Sequence, residues 1–235
     1  DNVNDLPETA LTGLDEARTA AMLNNANIVT VHDFEVQDNF AYIIMEYVDG
    51  MTQAQLLKVV GDNISVDMVT AIFDGVAAAL QFAHENQVLH LDIKPDNVMI
   101  DHQGQVKVMD FGLARLSGTQ GFQSAAGGTI GYMPPEQICG EELDQRTDEW
   151  SFACVMYQLI CGTNPFTAKT LEKSLNLIEG GDIIPPSAYR PDLGEELDEV
   201  LLDALSPAKV IAVVADEDER EAIVIVPDNQ LSLAI

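Results

Sequence analysis

The sequence predicts an α+β fold in which a small strand-bearing piece precedes a larger, mainly helical one. Three observations carry this. Residues 28–36 (IVTVHDFEV) and 40–48 (FAYIIMEYV) are rich in β-branched and aromatic residues and flank a short polar break, the pattern of a hairpin. Residues 65–86 repeat apolar side chains at steps of three and four, which makes one buried helical stripe. Residues 147–161 (TDEWSFACVMYQLIC) are apolar nearly all round, as a buried central helix must be.

The remaining elements follow in order. Residues 8–24 (ETALTGLDEARTAAMLN) are dominated by Ala, Leu, Glu and Arg and run into Asn24-Asn25, so a helix is expected there. VDG at 48–50 breaks the strand pattern, and a short helix fits 53–60. Ser65 is placed to cap the long helix, whose buried stripe is expected to be Val69, Ile72, Phe73, Val76, Leu80 and Ala83. VMI and VKVMD, joined through DHQG, form a second hairpin. A loop rich in Gly, Ser and Thr spans 112–131, and helices fit 168–179 and 195–205. The tail carries two strand-like runs, Val210–Ala215 and Ala222–Val226, around the acidic turn DEDER.

The chain has 235 residues, 47% of them hydrophobic and 21% charged, a globular composition. Its formal charge of −28 opposes nonspecific binding to nucleic acid or anionic membrane. The charge serves solubility or draws basic substrates. Three cysteines, Cys139, Cys154 and Cys161, lack metal-ligand spacing and fit a reducing cytoplasm, with Cys154 and Cys161 packed in the core. No continuous apolar run approaches the roughly 20 residues of a membrane span. The acidic start DNVNDLPET is not a signal peptide and has no initiator methionine, so a processed or truncated beginning is expected.

The chemistry is concentrated in HLDIKPDN, residues 90–97, and in DFG, residues 110–112. Asp92 follows a long helix, in a loop where a carboxylate can stay reachable and accept a hydroxyl proton. Lys94 offers a compact positive charge for a phosphate. Asn97 and Asp110 offer the oxygen ligands that Mg²⁺ takes alongside water and phosphate oxygens. A base, a phosphate-binding cation and two metal ligands together point to phosphoryl transfer.

These segments resemble the serine/threonine protein kinases of the eukaryotic-like type found in bacteria. HLDIKPDN resembles the catalytic loop, which makes Asp92 the base, Lys94 the phosphate contact and Asn97 a metal ligand. DFG makes Asp110 the principal Mg²⁺ ligand. IIMEYVDG resembles the hinge, with Met45 as gatekeeper and Glu46, Tyr47 and Val48 supplying the adenine-binding backbone. Met99 and Met109 fall on the floor of the nucleotide pocket. EARTAAMLNNANIVTVHDF resembles the C helix and the following strand, with Glu16 on the helix glutamate. GGTIGYMPPE resembles the end of the activation segment, and DEWSFACVMYQLICGTNPF the central helix, with Asp148 bracing the catalytic loop. Lys94 and Thr129 favour serine and threonine acceptors over tyrosine. The resemblance implies ATP and Mg²⁺ as cofactors, protein substrates, no nucleic acid, no membrane span and a cytoplasmic location. It leaves the oligomeric state open.

The resemblance divides the chain into a truncated small N-lobe at 1–48 with the hinge at 46–48, a mainly helical C-lobe at 49–206, and a divergent, strand-like acidic tail at 207–235. It also meets departures. Neither a glycine-rich loop nor a lysine precedes Glu16. Leu91 stands where many members carry arginine, so a switch through a phosphate on that contact is not expected; Ser117, Thr119 and Ser124 remain candidate phosphosites. No arginine of the family's last helices is present to meet Glu136. Two readings follow: a working kinase whose first strands are missing, leaving this chain weak or inactive, or a pseudokinase that binds or scaffolds. The tail hairpin is a candidate substitute for the missing strands.

Overall fold

The computed structural model describes residues 23–37, 40–61, 64–111, 130–168, 170–180, 182–206, 209–215 and 221–227. The expected first helix, with Glu16, lies outside them, as do Ser117, Thr119, Ser124 and Thr129.

The first hairpin pairs β1 (Val31–Gln37) with β2 (Phe40–Met45), antiparallel, with a register irregularity between Val31 and Asp33. The expected strand over 28–36 is divided in two. Its first residues turn instead to β5 (Val106–Val108), where Ile28 bridges Val108 in parallel. Val29 N–H donates to Val108 O at 2.9 Å and Val108 N–H donates to Asn27 O at 2.8 Å.

β2 ends at Met45 and residues 46–49 carry no strand, so the pattern breaks as expected around VDG, but the break is short. Gly50 begins β3 (Gly50–Thr52), which pairs with β4 (Val98–Asp101), and β4 pairs in turn with β5. A Cβ at Gly50 would stand 2.1 Å from Ile100 O, so the glycine lets two backbones approach where a side chain could not. Thr52 ends the strand and starts α1 (Gln53–Val60) through a capping box: Gln55 N–H donates to Thr52 Oγ1 at 3.2 Å and Thr52 N–H donates to Gln55 Oε1 at 2.9 Å.

The long helix, α2 (Val66–Glu85), begins where Ser65 Oγ accepts the Met68 N–H at 3.3 Å. Its stripe is buried as expected, with one correction: Phe73 is 36% exposed and lies against Phe152, ring centroids 5.2 Å apart. Successive helical residues turn by about 100°, so Phe73 cannot share the centre of the buried arc with Ile72. Among the described residues α2 is the one helix long and apolar enough to cross a bilayer, but its Val69, Ile72, Val76, Leu80 and Ala83 lie in the hydrophobic core.

A short α3 (Pro135–Cys139) precedes α4 (Gln145–Cys161), the central helix. Asp144 caps α4 and Gly162, in the left-handed region, ends it. α4 is buried on nearly every side, including Cys154 and Cys161, and Trp150 stacks on Phe166 at 5.2 Å. α5 (Leu171–Gly180) and α6 (Glu196–Ala204) complete the helical part. In the tail, β6 (Lys209–Ala215) pairs antiparallel with β7 (Glu221–Pro227), close to the expected bounds. Among the described residues these two strands form a sheet of their own and do not extend the β1–β2 pair.

Candidate active site

α2 ends at Glu85, and the chain enters the loop 90–94, then a 3₁₀ turn over Pro95–Asn97 that leads into β4. The loop is held from below by one carboxylate. Asp148, in the first turn of α4, is fully buried and uses both oxygens. Oδ2 accepts the His90 N–H at 2.8 Å and Oδ1 accepts the Leu91 N–H at 2.8 Å. His84 Nε2, from the last turn of α2, also stands 2.8 Å from Oδ2. A buried charge is tolerable where donors surround it. Here three donors tie the loop to both major helices, the bracing role expected of Asp148.

Leu91 has a φ of 66° and Asp110 a φ of 67°, in the left-handed region. That conformation costs a non-glycine residue roughly 1–2 kcal/mol. At Leu91 the Asp148 bond offsets it, together with the Gln137 Nε2–H donating to Leu91 O at 2.9 Å. Strain held by surrounding structure is a common property of functional loops.

His90 links the two halves of the site. Its ring is buried, and its Nδ1 accepts the Asp92 N–H at 3.2 Å while Nε2 faces Met109 O at 2.9 Å. Nε2 must therefore carry the proton. Burial lowers the ring's pKa, outweighing the nearby Asp148 charge, so the neutral tautomer this geometry needs is the favoured one. The His90 ring also packs on Phe111, centroids 4.5 Å apart. Met109 N–H donates to Asn97 O at 2.9 Å, a further tie between the loop and the residues before Asp110.

Three of the expected site residues meet directly. Lys94 Nζ donates to Asp92 Oδ2 at 2.6 Å. Asn97 Nδ2 donates to Asp92 O at 2.8 Å and to Asp92 Oδ2 at 3.1 Å. Both bonds use the amide nitrogen, which fixes the Asn97 side chain and leaves Oδ1 as its ligand atom. Asp110 lies close enough to feel this cluster. Burial raises its carboxyl pKa, the Asp92 charge adds to that, and Lys94 and the His90 ring oppose it. A carboxylate so placed gains from a cation. Asp110, Asn97 Oδ1 and phosphate oxygens form the hard, oxygen-only donor set that suits Mg²⁺. Among the described residues no three His, Cys, Asp or Glu side chains cluster as a metal site by themselves.

The hinge residues follow β2. Met45 is its last residue, Glu46 N–H donates to Thr30 O at 2.9 Å, and the Tyr47 side chain is 88% exposed, so only backbone there can face a ligand. Alternation along β4 and β5 sends Val98, Val106 and Val108 into the core. Met99 and Lys107, a cross-strand pair, therefore share the opposite face. Sequence reasoning missed Lys107, whose Nζ donates to Glu46 Oε1 at 2.7 Å; its place between two core valines was the available signal. It also missed Gln137, and Thr147, whose Oγ1 donates to Glu136 Oε1 at 3.1 Å, at the glutamate for which no arginine partner was expected. Nothing local in the sequence marks those two.

The segment 130–136 is fastened to the helical part. Ser151 Oγ donates to Tyr132 O at 2.8 Å and Asn164 Nδ2 donates to Gly131 O at 3.0 Å. A Cβ at Gly131 would stand 2.4 Å from Thr167 Oγ1, so a larger residue would have to displace the Thr167 side chain.

The family model for the protein kinase domain matches residues 4–192. Residues 197–235 match that for the NusA-like second KH domain, which starts within α6 rather than after it. The serine/threonine-protein kinase PknB of Mycobacterium tuberculosis is 40% identical over 199 residues, covering 81% of this chain and 32% of that protein. A probable serine/threonine-protein kinase of Streptomyces coelicolor is 39% identical over 198 residues, covering 81% of this chain and 29% of that protein. The chain thus spans about a third of the length of these relatives. The solved PknI kinase domain of Mycobacterium tuberculosis, as a C20A mutant, superposes with a TM-score of 0.67 at 30% identity, covering 86% of this chain and 72% of that one.

Proposed function

Because the chain belongs to the protein kinase family, we propose that it transfers the γ-phosphoryl group of ATP to serine or threonine hydroxyls of proteins. The observation that carries this reading is the cluster at the catalytic loop, where Lys94 and Asn97 both donate to Asp92 Oδ2 and Asp110 feels the same charges.

Asp92 is the base. Its carboxylate takes the proton of the acceptor hydroxyl as that oxygen attacks the γ-phosphorus and the bond to the ADP oxygen breaks. Asn97 holds the Asp92 carboxylate in place, and Lys94, already within reach, turns to the transferring phosphate. Asp110 and Asn97 Oδ1 would hold Mg²⁺, whose charge would neutralise that of the phosphates. The hinge backbone at Glu46–Val48 receives the adenine over Met99 and Met109, with Met45 at the back. Glu16 belongs to the same proposal by its position in the family pattern.

Supports for the lesser assignments are simpler. Cys154 and Cys161, buried as thiols, fit a cytoplasmic setting. Residues 197–235 carry only Lys209 and Arg220 as basic side chains against many acidic ones, so nucleic acid is not assigned as a partner. The same proposal divides the chain into a partial N-lobe at 1–48, a C-lobe at 49–206 and a tail at 207–235, although the KH-type match begins at 197, inside α6.

The competing reading is a pseudokinase. A transfer assay on the full-length protein with Ser/Thr-containing acceptors and Mg-ATP separates the two. Phosphoserine or phosphothreonine that disappears in Asp92→Asn supports the kinase. Nucleotide binding with no Asp92-dependent transfer supports the binding module.

A further inference from the structure

The hinge is fastened to the sheet below it through one side chain. Glu46 Oε1 accepts two hydrogen bonds, from the Thr30 N–H at 2.8 Å and from Lys107 Nζ at 2.7 Å. Glu46 N–H returns a bond to Thr30 O. The pair is largely sheltered, with Lys107 15% and Glu46 26% exposed. Burial alone would raise the Glu46 carboxyl pKa, but the Lys107 and Thr30 bonds and the Lys107 charge bring it below the usual value.

Lys107 is unusually sited for such a bond. Its neighbours Val106 and Val108 are anchored in the core, so its own backbone cannot drift. Three residues later the same strand delivers Asp110, whose preceding residue Met109 is tied to Asn97. A single rigid strand thus carries a group that grips the hinge and leads to the residue assigned to the metal.

We propose that Lys107 is a positioning residue for nucleotide binding: through Glu46 it sets the adenine-receiving hinge backbone at a fixed distance from Asp110. The proposal rests on the kinase reading above. It differs from a purely structural role in what it moves. Loss of the link leaves the catalytic loop, with its separate Asp148 bracing, intact. The hinge then samples positions in which adenine and phosphates cannot be engaged together, so affinity falls and the transfer step does not.

The test uses the full-length protein and three variants, Lys107→Met, Lys107→Arg and Glu46→Gln. In Lys107→Met the KM for ATP and the Kd for ADP rise about tenfold, a loss of about 1.4 kcal/mol of nucleotide affinity. In the same variant kcat and the KM for the protein substrate stay within about twofold. Lys107→Arg restores most of the nucleotide affinity. Should Lys107→Met fail to fold, Glu46→Gln reads the same link, and its KM for ATP must rise too. A lower unfolding midpoint with unchanged nucleotide KM and Kd overturns the proposal and leaves Lys107 a stabilising residue only. No ATP binding by the unaltered protein overturns the kinase reading and this inference with it.

Discussion

At the catalytic loop, Asp148 is fully buried, both its oxygens are in use, and its donors come from the loop and from the end of α2. At the hinge, Glu46 is about a quarter exposed and one oxygen carries both of its side-chain bonds. On the proposed function the two regions meet around one nucleotide, yet they are fastened differently. The loop is fixed by a buried polar network on two helices, which is costly to disturb because each orphaned donor loses its only partner. The hinge hangs from a two-stranded pair, β1–β2, and one sheltered ion pair, so its position depends on that single link.

Predictions that break or sharpen this contrast fall in order of size. Asp92→Asn is expected to lower phosphate transfer by roughly 10²–10⁴-fold, the usual worth of a general base, with the unfolding midpoint unchanged. Retained turnover would remove Asp92 from the chemistry. Asp148→Ala leaves the His90 and Leu91 N–H groups without their acceptor, at about 1–3 kcal/mol each, so denaturant unfolding should show a loss of several kcal/mol. An unaltered midpoint would mean that the loop is held by something else.

A pH series probes the same network. His90 is buried and its pKa is lowered in the fold, so between its ordinary value near 6.5 and the lower folded value the unfolded chain binds more protons. The stability this represents is complete above about pH 6.5 and is lost as pH falls toward the folded pKa. Urea unfolding at pH 7.5 and 5.5 should show that decline, and His90→Asn, less stable at both, should show less of it. The smallest effect belongs to the hinge side. Ile44, on β2, is half exposed, so Ile44→Thr should change stability by no more than about 0.5 kcal/mol.

Much of this contrast was written in local patterns. The capped α2 and the all-round apolar α4 each depend on neighbours in the chain and are found where expected, and the spacing of Asp92, Lys94 and Asn97 brings those three into direct contact. What escaped depends on partners distant in sequence. Gly50 reads as a breaker until Asp101 and Ile100 come beside it. Phe73 reads as core because its period is right by one step and wrong by one turn of the helix surface. Lys107 and Glu46 are 61 positions apart, and no propensity connects them. Thr147 took the Glu136 contact because the fold brings the start of α4 against α3, a meeting that no local signal announces.

The central claim is that one cleft divides its work: Asp92 acts on the acceptor, Asp110 on the metal-bound nucleotide. Calorimetry of Mg-ADP binding, paired with single-turnover phosphate transfer, tests it in Asp92→Asn and Asp110→Asn of the full-length protein. Asp92→Asn should keep Mg-ADP affinity within about twofold while losing transfer, and Asp110→Asn should lose both. Transfer that survives Asp92→Asn, or Mg-ADP affinity that is indifferent to Asp110, would contradict the account.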